Sequence, residues 1–429
     1  MPSQPSRILL ALAACALTGP VHADPPKPDE SALGTVDVDG GATAPPQKLA
    51  VVPLLTKGNS DTLAQLVVRH DLELSGQFDV IADANAPKGP FLREAPIDPK
   101  AWRDKGVDLL VRVVADEQAT TVKLRVDVWI LASSKKEPAF SRSFEIPTAQ
   151  ARLGAHRVAD AVLEAVTGRA GGFASRLAFT GRVGKGQQVF LVDADGFDLE
   201  GHGPATDTAV SPAFGPDDEV YYASSADFGP FRLVRGPLAT KVTLPVPGSV
   251  LGVAFDATRT HVALAVMHDG VSQIWSGDAG VKKLESKVKA PLVNHPVFGP
   301  LGKMAWVAGS PPRVFVDGKA VSPPGFAASA PTFCDSPRGL LVVFTVGVGK
   351  DADLVATDSA GSGITRLTQA QGANSYPACS PDGRLVAFFS TRNSGKGPGL
   401  YVMPIAAPGR AQRLGSMEGE SLRWSGVIP

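Results

Sequence analysis

Tyr376-Pro377-Ala378-Cys379-Ser380-Pro381-Asp382-Gly383, followed by the apolar run Leu385-Val386-Ala387-Phe388-Phe389-Ser390, is the stretch that decides the fold. A second copy reads Ser211-Pro212-Ala213-Phe214-Gly215-Pro216-Asp217 and leads into Val220-Tyr221-Tyr222-Ala223-Ser224. Weaker copies lie at 253–256, 295–300 and 330–335, and Leu422-Arg423-Trp424-Ser425 ends the series. With Phe214, Phe255, Phe298, Phe333, Cys379 and Trp424 as equivalent positions, the spacings are 41, 43, 35, 46 and 45 residues, averaging 42. That is the length of one four-stranded propeller blade, and a unit of this size buries its faces only by packing radially against copies of itself.

Apolar strands follow the first five copies, beginning near 219, 261, 303, 340 and 385, but the chain leaves no room for one after Trp424. Arg176-Leu177-Ala178-Phe179-Thr180 is an unpaired strand of the same kind, followed by Val189-Phe190-Leu191-Val192. The start of the region can therefore complete the blade that the C-terminus begins, closing a ring without exposed edges. The expectation is an all-β six-bladed β-propeller over 171–429 with a shared closing blade.

Before the repeats, strand and helix alternate, so residues 48–170 read as a small α/β domain with a mixed sheet. Leu49–Leu55, Phe78–Ile81, Val107–Val114, the alternating run Val122–Ile130 and Phe140–Ile146 are strand candidates. Ser60 can cap a helix with Leu63, Leu66, Val67 and Leu74 on its apolar face, and Trp102–Lys105 reads as a helical turn. A last helix opens at Thr148, carries Ala155, Val158, Ala159, Val162, Leu163 and Val166, and stops at Gly168, where a left-handed residue is wanted.

At the N-terminus, Arg7 precedes an apolar run from Ile8 to Leu17, too short to span a bilayer but suited to a signal peptide over 1–23. Val21-His22-Ala23 fits a cleavage site, while Leu12-Ala13-Ala14-Cys15 has the form of a lipobox that would lipidate Cys15. Either route exports the chain. Residues 24–47 are rich in Pro, Asp and Gly and read as a flexible arm, a spacer or a partner-binding tail. No later stretch is long enough for a membrane span.

The chain of 429 residues holds 42 basic and 42 acidic side chains, and losing 1–23 removes Arg7 only. No positive field for a phosphate backbone follows, so nucleic-acid binding is not expected. Catalytic patterns are missing too. No Gly-x-Ser-x-Gly occurs, the Gly-Lys pairs at 184, 302, 349 and 395 lack the rest of a phosphate loop, and the seven histidines include no His-Glu-x-x-His. The Pro-Asp and Asp-Gly steps read as turns. No catalytic, cofactor or metal site is expected. Cys334 follows one repeat aromatic and Cys379 replaces another, so they are expected as buried thiols, since corresponding positions of neighbouring blades tend to lie too far apart to bridge.

An α/β domain joined to such a propeller resembles the TolB family of the periplasmic Tol-Pal system. In the first domain the resemblance rests on Asp71-Leu72-Glu73-Leu74-Ser75-Gly76-Gln77-Phe78, on Ala101-Trp102 with Gly106-Val107-Asp108, and on Ala155-His156, Asp160, Leu163 and Thr167-Gly168. The resemblance implies a monomeric, non-enzymatic scaffold. Its propeller would bind a Pal-like peptidoglycan-associated lipoprotein and its arm a TolA-like inner-membrane protein, supporting outer-membrane integrity and cell division. Candidate contacts, just before the repeats, are Asp207, Ser211, Asn294, His295, Ser329, Asn374 and Tyr376. Two loops depart from the family's polar pattern, at Val246–Leu251 and Leu292–His295. The alternative is an exported propeller enzyme, or a propeller for a glycan or other small ligand, which would need a charged, convergent central channel.

Overall fold

The computed structural model describes residues 29–33, 46–55, 58–133, 135–337 and 339–428. The signal-peptide and lipidation readings at 1–23 lie outside these residues. The first domain is a five-stranded mixed sheet in the order β2-β1-β3-β4-β5. Its strands are β1 Gln47–Val51, β2 Phe78–Val80, β3 Leu109–Glu117, β4 Thr121–Ile130 and β5 Phe140–Pro147. β1 runs parallel to both β2 and β3, while β4 and β5 continue as an antiparallel meander. Helices α1 (Asn59–Leu74) and α3 (Ala151–Thr167) cover one face, and the short α2 (Pro99–Arg103) buries Trp102 against the other. β4 is accordingly buried on both sides from Val126 to Trp129. Val122, Leu124, Val126 and Val128 face the helices, while Trp129 joins Trp102 beneath α2.

α1 is rotated from the expected stripe. Of that stripe, Val67 and Leu74 are buried and Leu63 packs against the core, but Leu66 is 63% exposed, and Ala64, Val68 and Leu72 join the contact. Two acids, Asp61 and Asp71, also turn inward, because the domain offers them partners: the Ala115 N–H donates to Asp61 at 2.7 Å, and His156 meets Asp71. α3 ends as the sequence requires, with Gly168 left-handed at φ 75° and its N–H on the Glu164 carbonyl.

The propeller has six four-stranded blades. Blades 1 to 5 start with inner strands Thr208–Phe214, Ser249–Phe255, Asn294–Phe298, Ala328–Ser336 and Asn374–Cys379. Blade 6 is built from both ends of the region: Glu420–Trp424 pairs antiparallel with Arg176–Val183, which pairs with Gly186–Asp193 and then Glu200–His202. The closure is held by more than the ladder. The Trp424 indole donates to Ser175 Oγ at 2.8 Å, Ser425 N–H donates to the Arg176 carbonyl at 2.9 Å, and Ile428 N–H donates to the Ala174 carbonyl at 2.7 Å.

The repeat also has a backbone reason. Every inner strand carries a bulge, and in five blades its first residue is left-handed: Ser211, His295, Ala330, Tyr376 and Ser421, with φ between 47° and 54°. In four of these the next residue is Pro, which has no N–H to lose where the ladder skips. After the repeat aromatic the chain turns sharply. A Cβ on Gly383 would fall on the Asp335 carbonyl of the preceding blade, so only glycine fits that turn.

Two sequence expectations are corrected here. Glu30–Leu33, within the arm, form a 3-10 turn rather than an extended spacer. Leu33 is fully buried in the apolar core between blades 3 and 4, and Glu30 reaches Arg366 at 3.4 Å. Cys334 and Cys379 form a disulfide, with Cα atoms 5.4 Å apart. They are not at corresponding positions. Cys334 lies one register past the repeat aromatic, in the core that blade 4 shares with blade 5, so the two inner strands meet there at bridging distance. The bridge closes a loop across a separation of 45 residues, worth about 4 kcal/mol in chain entropy. Cys334→Ala with Cys379→Ala should lower the free energy of unfolding in urea by about 2–4 kcal/mol. A stability unaffected by dithiothreitol would contradict the bridge.

Candidate functional site

The inner strands all run the same way along the channel, so their beginnings share one mouth of the ring and their ends the other. The α/β domain occupies the second mouth. Arg384 donates to Thr167 Oγ1 at 2.6 Å, Arg169 to the Asp335 carbonyl at 2.8 Å, and Gly172 packs on Pro381. The seven candidate contacts, at the strand beginnings, lie at the mouth facing away from that domain.

They do not have equal roles. Ser211 is 2% exposed and its Oγ accepts the Val253 N–H at 3.1 Å. Asn374 is fully buried, donating to the Ala352 and Gly372 carbonyls and accepting from Ser390 Oγ at 2.8 Å. Both side chains are used up inside, joining neighbouring blades or strands, and neither offers surface. Asp207, Asn294, His295, Ser329 and Tyr376 remain partly exposed. Asp207 is held by Ser224 at 2.9 Å, whereas Asn294 Oδ1 and His295 Nδ1 have no hydrogen-bond partner among the described residues. Burial, with Arg423 nearby, holds His295 down to about 4, so its ring is neutral at pH 7.

Sequence reasoning singled out the loop at Leu292–His295 as departing from a polar pattern but missed Phe228. Phe228, 100% exposed, and Leu292, 57% exposed, sit in the loops before the third strand of blade 1 and the first strand of blade 3. Both are left-handed, with φ of 57° and 54°, so their backbones form tight turns that hold the side chains outward.

The opposite mouth opens on a cavity of about 400 Å³. Two concentric sets of repeat positions line it: Phe214, Phe255, Phe298, Phe333, Cys379 and Trp424, and the residues just before them.

At the junction with the α/β domain lies a buried ionic cluster. His156 Nδ1 is 2.7 Å from Asp71, and its Nε2 is 3.7 Å from Asp193 of blade 6. Arg152 bridges Asp193, at 2.9 Å, and Asp195; Arg176 extends the chain to Glu200 at 2.8 Å. Burial opposes a charge on His156, but Asp71, Asp193 and Asp195 outweigh it and lift the imidazole to about 10. Burial raises Asp71 to about 6 against the pull of His156, and raises Asp160 to about 7 although the Phe173 and Ala174 N–H groups donate to it. Asp71, His156 and Asp195 stand close enough together to ligate a metal, but Arg152 and His156 already neutralise the carboxylates. The cluster therefore works as a lock between the domains. His156, Asp71 and Asp160 are residues on which the family resemblance rests; their partners Arg152, Asp193 and Asp195 carry no local signature.

Residues 34–136 match the TolB amino-terminal domain. The Tol-Pal system protein TolB of Thiobacillus denitrificans is 34% identical over 188 residues, covering 42% of this chain and 42% of the relative. TolB of Chromobacterium violaceum is 27% identical over 199 residues, covering 46% of each. The chain thus spans under half the length of these curated relatives. In fold the likeness runs further: the crystal structure of TolB from Acinetobacter baumannii aligns with a TM-score of 0.70 over 89% of this chain and 97% of that one, at 19% identity. The resemblance to TolB read from the repeats and from Asp71–Phe78 holds, and the architecture is the α/β domain plus propeller that it implies.

Proposed function

We propose that the chain is a periplasmic protein-binding scaffold of the Tol-Pal system, exported by its N-terminal leader or lipidated at Cys15, acting by binding rather than catalysis. The propeller mouth away from the α/β domain takes a Pal-like peptidoglycan-associated lipoprotein. The arm engages a TolA-like inner-membrane protein, so that one molecule couples two membranes and supports outer-membrane integrity and cell division. The observation that carries this reading is the pairing of Phe228 and Leu292, held outward on tight turns, with the polar group Asp207, Asn294, His295, Ser329 and Tyr376 on one rigid face. Exposed aromatic and apolar side chains beside polar ones are what protein interfaces use, and a preformed face loses little entropy on binding.

A calorimetric titration with a purified Pal-like periplasmic domain tests it. Phe228→Ala and Leu292→Ala should each weaken binding by about 1–2 kcal/mol, roughly five- to thirtyfold. Leu301, which is 97% exposed in a blade 3 turn at the other mouth, is the control, and Leu301→Ala should leave the affinity unchanged. Equal losses for all three variants, or no binding, would count against the assigned face.

A further inference from the structure

Arg423 stands alone in its ring. The residues preceding the six repeat aromatics are Ala213, Ala254, Val297, Thr332, Ala378 and Arg423, and all six line the cavity of about 400 Å³ at the domain-side mouth. Five are small or uncharged; the sixth projects a guanidinium into the channel from blade 6. Of its five donors, the only one with an acceptor among the described residues is Nη1, which donates to the Leu422 carbonyl at 3.1 Å, a bond without compensating charge. Among the described residues no carboxylate forms an ion pair with it. The other charged residues of the cavity wall are occupied elsewhere: Arg259 with Asp218, Asp335 with Arg169, and Asp256 with Thr258, Thr260 and the His261 N–H.

Arg423 is partly exposed, and a cation in an apolar wall that no carboxylate faces leaves its charge to water or to a bound anion. Around Arg423 the wall is apolar and aromatic, with Phe214, Phe255, Phe298, Phe333 and Trp424, and the volume lies in the range of small-molecule sites. We propose that this cavity binds a small organic carboxylate, its apolar body within the ring of repeat aromatics and its carboxylate paired with Arg423. The site is at the mouth opposite the partner face, and it stands independently of the scaffold reading. Burial, with no acid nearby, pulls the guanidinium down to about 10, so it is charged at pH 7 and open to an anion.

Phenylacetate and its neutral analogue phenylacetamide are the probes, titrated against the full chain by ligand-observed NMR. Phenylacetate should bind, and phenylacetamide should bind at least about tenfold more weakly, since it removes the charge and keeps the ring. Arg423→Gln should weaken phenylacetate by about tenfold or more, and Arg423→Lys should restore part of the affinity. Should Arg423→Gln fail to fold, the acid-against-amide comparison on the native chain still decides. No saturable phenylacetate binding up to about 10 mM, or equal binding of acid and amide, overturns the proposal.

Discussion

Deleting residues 416–429 should leave the propeller unable to fold. The deletion removes the inner strand of blade 6, and with it Leu422, fully buried among Leu177, Phe179, Phe389 and Leu400, and the packed ring of Trp424. Truncating one buried Leu costs about 2–5 kcal/mol, and the partly buried Trp424 adds less than the about 3–5 of a fully buried ring. Together they compare with the whole stability of a domain, about 5–15 kcal/mol. The deletion also breaks the ladder to Arg176–Val183 and the bonds to Ser175, Arg176 and Ala174, leaving an open sheet edge that invites aggregation. Near-ultraviolet circular dichroism and a urea titration measure the effect, and Leu422→Ala alone should lower stability by about 2–5 kcal/mol. A truncated chain that unfolds cooperatively at the native midpoint would show that the ring is not closed this way.

The second large effect concerns the lock between the domains. Asp71→Ala leaves the His156 imidazolium facing a void where its main counter-charge stood. Removing one member of a buried pair costs about 3–5 kcal/mol, less if His156 then releases its proton. The pH dependence has a definite sign. His156 is raised in the folded protein, so its contribution is fully present below the unfolded value near 6.5 and is lost as pH rises through about 10. Asp71, also raised, loses its contribution as pH rises through about 6, and Asp160 through about 7. Stability should therefore fall from pH 6.5 to 10, and the difference between the native chain and His156→Gln should shrink over that interval. A difference that grows toward pH 10 would show that His156 is neutral in the fold.

The blades were legible because they repeat one constraint: a bulge in all six inner strands, left-handed at its first residue in five and followed by Pro in four, then an aromatic or Cys379 at the channel end. Six copies of one local rule survive single deviations such as Cys379 in place of an aromatic. Closure was legible by counting, since a strand without a partner at 176–180 matched a partner without a successor at 424. The first domain was legible wherever burial is one-sided, as on α3. It misled at Leu66, because Asp61 and Asp71 take inward positions that hydrophobic spacing assigns to apolar residues. The disulfide was hidden because it joins positions one register apart, a relation that depends on how inner strands of neighbouring blades splay. Leu292 lay in a loop whose departure from polar residues was visible, whereas Phe228 carries no signal in the sequence, and only the left-handed turns show that both point outward. Arg423 did leave a trace: aligned copies read Ala, Ala, Val, Thr, Ala, Arg before the repeat aromatic. Only the ring geometry shows that these positions share one cavity.

The central claim is that the propeller mouth away from the α/β domain is the partner surface. Amide hydrogen exchange of the full chain, with and without a saturating Pal-like periplasmic domain, tests it most directly. Protection is predicted at the loops around 207, 226–230, 291–295, 329 and 374–376, with the turns at 216–219, 300–303 and 381–384 unchanged. Protection confined to the latter turns or to the α/β domain would contradict the account.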